Sequence, residues 1–112
     1  MGDPTRTVNI SHSTCECKVH YEIEPWGITG FVNETKGYRQ VSVCIEALMT
    51  NCSVWIDFGT LGIYCTVDTF SVPQNSIVLK TYPVEGTYIK MTLHNADPLT
   101  TLSVTLTIYM ST

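Results

Sequence analysis

The sequence predicts an all-β domain. Three observations carry this reading. The composition is rich in strand formers, with 17 threonines against only two alanines, Ala47 and Ala96. Several segments alternate apolar and polar residues with a period of two. Turn-forming residues interrupt these segments at short, even intervals, as in sandwiches and jelly rolls. The expected architecture is a jelly-roll-like β-sandwich of about eight antiparallel strands, preceded by a flexible N-terminal arm.

Residues 1–16 are polar and show no periodicity. The arm is predicted over residues 1–17, and the domain over 18–112. Val19, Tyr21 and Ile23 alternate with His20, Glu22 and Glu24, a half-buried strand that Pro25-Trp26-Gly27 ends. Ile28 to Val32 is a short apolar segment closed by Asn33 to Gly37. Val41, Val43, Ile45 and Ala47 face one way, while Gln40, Ser42, Cys44 and Glu46 face the other. After the turn at Thr50-Asn51-Cys52, Val54, Ile56 and Phe58 alternate with Trp55 and Asp57. Gly59-Thr60-Leu61-Gly62 forms a hairpin-like loop. Ile63, Cys65 and Val67 then share a face. Pro73-Gln74-Asn75 turns the chain into a strand from Ser76 to Tyr82. Ile89, Met91 and Leu93 line the next strand, and residues 94–98 form a long turn. In the last strand Leu102, Val104, Leu106, Ile108 and Met110 point inward.

At 112 residues the chain holds one domain and excludes a large two-domain enzyme. Its net charge is −4 with only six Lys and Arg, scattered, so a nucleic-acid partner is not expected. No apolar run reaches the roughly 18 residues of a membrane span. Met1-Gly2-Asp3-Pro4 lacks the apolar core of a secretion signal, and Arg6 breaks the myristoylation pattern. No nucleophile elbow, metalloprotease signature or phosphate-cradling loop is present, and no enzyme or cofactor is predicted. The nearest approaches to a catalytic pair are Cys44 or Cys65 with His94. Cys15, Cys17 and His20 offer a partial zinc set.

Five cysteines, Cys15, Cys17, Cys44, Cys52 and Cys65, are dense for a cytosolic domain. Their odd number leaves one thiol free or bonded to another chain. One arrangement is two intrachain disulfides and a free thiol. The other sends Cys15 and Cys17 to a neighbouring subunit. Asn9, Asn33 and Asn51 open N-glycosylation sequons. Low charge and cysteine density favour an extracellular or surface location.

The order of features resembles the endospore-appendage family of spore fibre subunits. The resemblance lies in the cysteine-bearing arm, in Gly37-Tyr38-Arg39-Gln40-Val41-Ser42-Val43, in Tyr88-Ile89-Lys90-Met91-Thr92-Leu93, and in Thr105-Leu106-Thr107-Ile108-Tyr109-Met110-Ser111. It implies a jelly-roll subunit that polymerises with copies of itself, its arm docked into a neighbour and locked by disulfides. The missing signal fits spore-surface proteins, which are assembled inside the mother cell. Here the arm carries C-x-C and the last strand carries no cysteine, so Cys44, Cys52 or Cys65 would receive the bond. The alternatives are a viral capsid or decoration protein of the same fold, and a secreted carbohydrate-binding module using Trp26 or Trp55.

Overall fold

The computed structural model describes residues 14–112. Eight strands follow in order: β1 (Thr14–Ile23), β2 (Ile28–Glu34), β3 (Gln40–Leu48), β4 (Cys52–Thr60), β5 (Ile63–Val72), β6 (Ser76–Pro83), β7 (Tyr88–His94) and β8 (Leu102–Ser111). They build two four-stranded antiparallel sheets, β1-β8-β3-β6 and β2-β7-β4-β5. The pairings are nested: β4 with β5, β3 with β6, β2 with β7 and β1 with β8. This is one long folded ribbon rolled into two layers, the jelly-roll path expected from the sequence.

The period-two pattern explains the layers. Val41, Val43, Ile45 and Ala47 of β3 are fully buried, as are Ile89, Met91 and Leu93 of β7. Leu102, Val104, Leu106, Ile108 and Met110 of β8 join them in one core between the sheets. Each Val, Leu, Ile or Met among them contributes about 1.5–3 kcal/mol by leaving water. Trp55 leaves the row as expected. It faces outward beside His94, with ring centroids 6.1 Å apart.

The β4–β5 hairpin turns on Leu61 and Gly62, with φ of 55° and 81°. Two consecutive left-handed residues match the right-handed twist of the strands they join. Beyond the turn the structure departs from the expected pattern. A bulge between Ile56 and Asp57 leaves Val67 without a partner on β4. One extra residue reverses the phase of a strand. Cys65 therefore lies opposite Phe58, and Phe70 lies opposite Val54 on the same inner side. Ile63, Cys65 and Val67 do not form a buried row, because β5 is an edge strand and all three are exposed.

The β5/β6 flank is closed by polar and aromatic contacts. Tyr82 donates a 2.6 Å hydrogen bond to Asp68. Lys80 lies 3.6 Å from the same carboxylate and 4.9 Å above the Phe70 ring. The hydrogen bond from Tyr82 is the main cause holding the Asp68 carboxyl below its usual value. Burial first, and then the carboxylate, push the Tyr82 hydroxyl up.

The turn after β7 is a latch. The Asn95 side chain is fully buried and its amide donates to the carbonyls of Ile23 (3.0 Å), Glu24 (3.1 Å) and Thr100 (2.8 Å). Its own carbonyl accepts from the Asp97 N–H at 2.9 Å. Asp97 in turn accepts from the N–H groups of Leu99 and Thr100. One side chain thus ties the β1–β2 corner to the β7–β8 connection.

Candidate functional site

The expected arm of residues 1–17 overlaps the folded domain. Residues 14–17 belong to β1, whose ladder with β8 runs from Thr14↔Ser111 to Ile23↔Leu102. The physical reason is that Cys15 and Cys17 continue the alternation of Val19, Tyr21 and Ile23, acting as small hydrophobes. Asn9 and residues 1–13 lie outside the described residues. No cysteine occurs in residues 1–13.

The five thiols are dispersed, and none is bonded to another. This corrects the arrangement with two intrachain disulfides. Cys15 and Cys17 sit side by side, half-buried, on the inner side of β1, which is an edge of its sheet. Cys15 touches the margin of the core. Cys44 lies on the outer face of the same sheet, between Thr107 of β8 and Leu79 of β6. Cys52 is fully buried at the start of β4, where burial pushes its thiol up to about 11. It is neither a loop residue nor an available receiver for a disulfide. Cys65 is exposed on β5, the edge of the other sheet. The expectation that an apolar row buries it fails because β5 is an edge strand.

Other combinations suggested by the sequence come apart. His94 is on β7, on the outer face of the second sheet, whereas Cys44 is on the outer face of the first. No Cys44–His94 pair forms. Cys65 lies toward the other end of that sheet, near the β4–β5 turn, whereas His94 pairs with Ser53 near the start of β4. His20 points to the opposite face of β1 from Cys15 and Cys17. There its ring meets the Glu22 carboxylate at 2.6 Å and the Thr105 hydroxyl at 3.0 Å. The Glu22 carboxyl is held below its usual value, by Ser103 first and by His20 second. The C-x-C and imidazole therefore do not converge as a zinc set. Among the described residues, no three His, Cys, Asp or Glu gather to hold a metal ion.

The sequons differ in setting. Asn33 is half-buried on β2, and the Thr35 hydroxyl is fully buried and donates to the Gly86 carbonyl at 3.3 Å. Asn51 is exposed, and its side-chain oxygen accepts from the Gln74 N–H at 2.7 Å. Trp26 is exposed in the turn before β2 with φ of 63°, and Trp55 is in the middle of β4. The two do not share an element.

Two surface features remain. The first is a small hollow of about 170 Å³ on the outer face of the first sheet near the β1 edge, lined mainly by Thr14, Glu16, Ser42, Tyr109 and Ser111. The second is the opposite flank of the sandwich, where Leu61, Ile63, Ile77 and Leu79 are 60–90% exposed on β5, β6 and their turns. Nothing in the spacing of Ile77 and Leu79 signals this, because an outward-facing apolar row has the same period as an inward one. Among the described residues no helix is long and apolar enough to cross a membrane.

No family model matches the chain, and no curated protein matches its sequence. Its fold is similar to those of solved proteins. The PBSX exported protein XepA superposes with a TM-score of 0.74 at 10% identity over 86% of this chain. The chain spans 36% of the length of XepA. PirA superposes with a TM-score of 0.59 at 16% identity, covering 83% of this chain and 92% of PirA. The subunit of Bacillus endospore appendages, described as a novel family of disulfide-linked pili, gives a TM-score of 0.61 at 14% identity. That match covers 90% of this chain and 88% of the appendage subunit. The resemblance noted in the sequence is thus present in the fold.

Proposed function

We propose that this chain is a structural subunit that assembles with copies of itself into an extracellular or spore-surface filament. The observation that carries the reading is the pair Cys15 and Cys17, half-exposed and unbonded on one sheet edge, with Cys65 exposed on an edge of the other sheet. Two different edges carrying thiols, joined as a disulfide when an external oxidant takes two electrons and two protons are released, suit a head-to-tail contact, which generates filaments when it does not close. An unpaired strand edge is also a template for another chain. The exposed apolar side chains on β5 and β6 would be covered by such a contact. The fold likeness to disulfide-linked pili supports the same reading. In this reading the covalent joint runs from Cys15 or Cys17 on β1 of one subunit to Cys65, the exposed thiol, of the next.

The test is a denaturing gel of native material with and without reductant, alongside electron microscopy. A ladder that collapses to 12.5 kDa on reduction, together with filaments, is the expected result. Cys15→Ser with Cys17→Ser, and separately Cys65→Ser, should remove the ladder while leaving the domain folded. A single 12.5 kDa band in both lanes, with no filaments, overturns the proposal.

A further inference from the structure

The geometry points to a binding site for a soft monovalent metal ion of the copper(I) class on the inner side of the β1 edge, held by Cys15, Cys17 and Met110. The sheet register makes three sulfur-bearing residues neighbours there on one face. Cys15 lies directly opposite Met110 on β8, and Cys17 lies opposite Ile108, one step along the same inner face. Directly opposed side chains start about 5 Å apart at Cβ, and diagonal ones lie within reach of a long side chain such as Met. Cys15 and Cys17 are two residues apart on one strand, so their Cα atoms are about 6.6 Å apart. Thiolate bonds to a metal of about 2.3 Å can bridge that gap once the thiols lean together.

The surroundings suit a soft ion. Met110 is only 3% exposed, so the thioether on the strand beside Cys15 lies in a largely dry interior. Cys15 and Cys17 are only half-buried and stand on an edge strand, which gives an ion access to them. Thiolates and thioethers select copper(I), whereas zinc takes four ligands from thiolate, imidazole and carboxylate. No third His, Cys, Asp or Glu joins Cys15 and Cys17 among the described residues, so zinc lacks its shell. The imidazole of His20 is turned away to Glu22 on the other face.

On binding, each thiol releases one proton and forms one metal–sulfur bond, while Met110 adds a lone pair. The product is a dithiolate complex of the monovalent ion, and no electron changes hands. The site uses the reduced thiols. It does not rest on the filament reading, which uses the same thiols oxidised.

The experiment is an anaerobic titration of the reduced full-length protein with copper(I) supplied as its bicinchoninate complex. The protein should withdraw a single equivalent from the chelator, and it should fail to withdraw zinc from a zinc indicator. Cys15→Ser or Cys17→Ser should abolish withdrawal. Met110→Leu, which conserves core volume, should weaken it at least about tenfold. X-ray absorption of the wild-type complex should show three sulfur scatterers, a readout that needs no variant. Lack of withdrawal by the wild type, wild-type affinity in either cysteine variant, or two sulfur scatterers would overturn the assignment. The non-reducing gel separates the two readings: Met110→Leu should lose copper affinity and keep its ladder.

Discussion

Removing the Asn95 side chain tests how the corner of the sandwich is held. In Asn95→Ala, the Ile23 and Thr100 carbonyls each lose a donor, and the Asp97 N–H loses its acceptor. Glu24 keeps solvent access, so its loss counts for little. Leaving three such groups without partners costs about 1 kcal/mol each, about 3 kcal/mol together. For a domain of this size that corresponds to a fall of about 12 °C in Tm. In urea, with a slope of about 2 kcal/mol per molar, the midpoint should fall by about 1.5 M with the slope unchanged. Asn51→Ala is the control. Its side chain is exposed and accepts one N–H, from Gln74, so the expected loss is below about 1 kcal/mol. Circular dichroism melts and urea curves of both variants decide the matter. A loss under about 1 kcal/mol in Asn95→Ala would refute the latch, because water would then be replacing the amide at little cost.

Three further outcomes follow from the geometry. Gly59→Ala should break the β4–β5 hairpin, since a Cβ would sit 2.5 Å from the Tyr64 ring and against the Ile63 carbonyl, whereas Gly30→Ala meets nothing nearer than 3.8 Å; comparison of soluble yield and melts checks this. The Asp97 carboxyl is held below its usual 3.8 by the N–H groups of Leu99 and Thr100, so its contribution is complete above that value and disappears as pH falls through the lower folded value. Melts between pH 2 and 5 should therefore be flatter for Asp97→Asn than for the wild type, and parallel curves would contradict the assignment. In a thiol-labelling time course on reduced protein, Cys65 should react first and Cys52 only on unfolding, because burial holds the Cys52 thiol at about 11; early labelling of Cys52 by mass spectrometry would count against its place in the core.

The central strands were legible because burial on one face leaves a strict alternation. Val41 to Ala47 and Leu102 to Met110 read inward in the sequence and are buried in the structure. Edge strands were harder, since their inner residues are only partly covered and polar residues are tolerated there. β1 began four residues earlier than its apolar pattern suggested, because two cysteines stood where Val or Ile would have marked the strand. β5 misled at the bulge, where one unpaired residue, Val67, moved the rest of the strand to the other phase. The Asn95 latch was seen only as a turn. Its partners at Ile23 and Glu24 are over 70 positions away, and nothing local marks an asparagine that reaches so far. Likewise the meeting of Cys15 with Met110 depends on register between the first and last strands, which no short-range pattern encodes.

The nested pairing has a consequence for the order in which the molecule comes together. The β4–β5 pair closes across two residues, Leu61 and Gly62, and each pair outside it must enclose all the chain within. Closure entropy rises with the length enclosed, so the roll is expected to zip from β4–β5 outward, slowly for a domain of this size. The outermost pair is β1 with β8, and β1 has a neighbour on one side alone. It is the last strand to dock and the first to peel away, and amide exchange should run fastest along it. A strand with that schedule is open to exchange: a copy whose own β1 is still detached can be completed by the β1 of another.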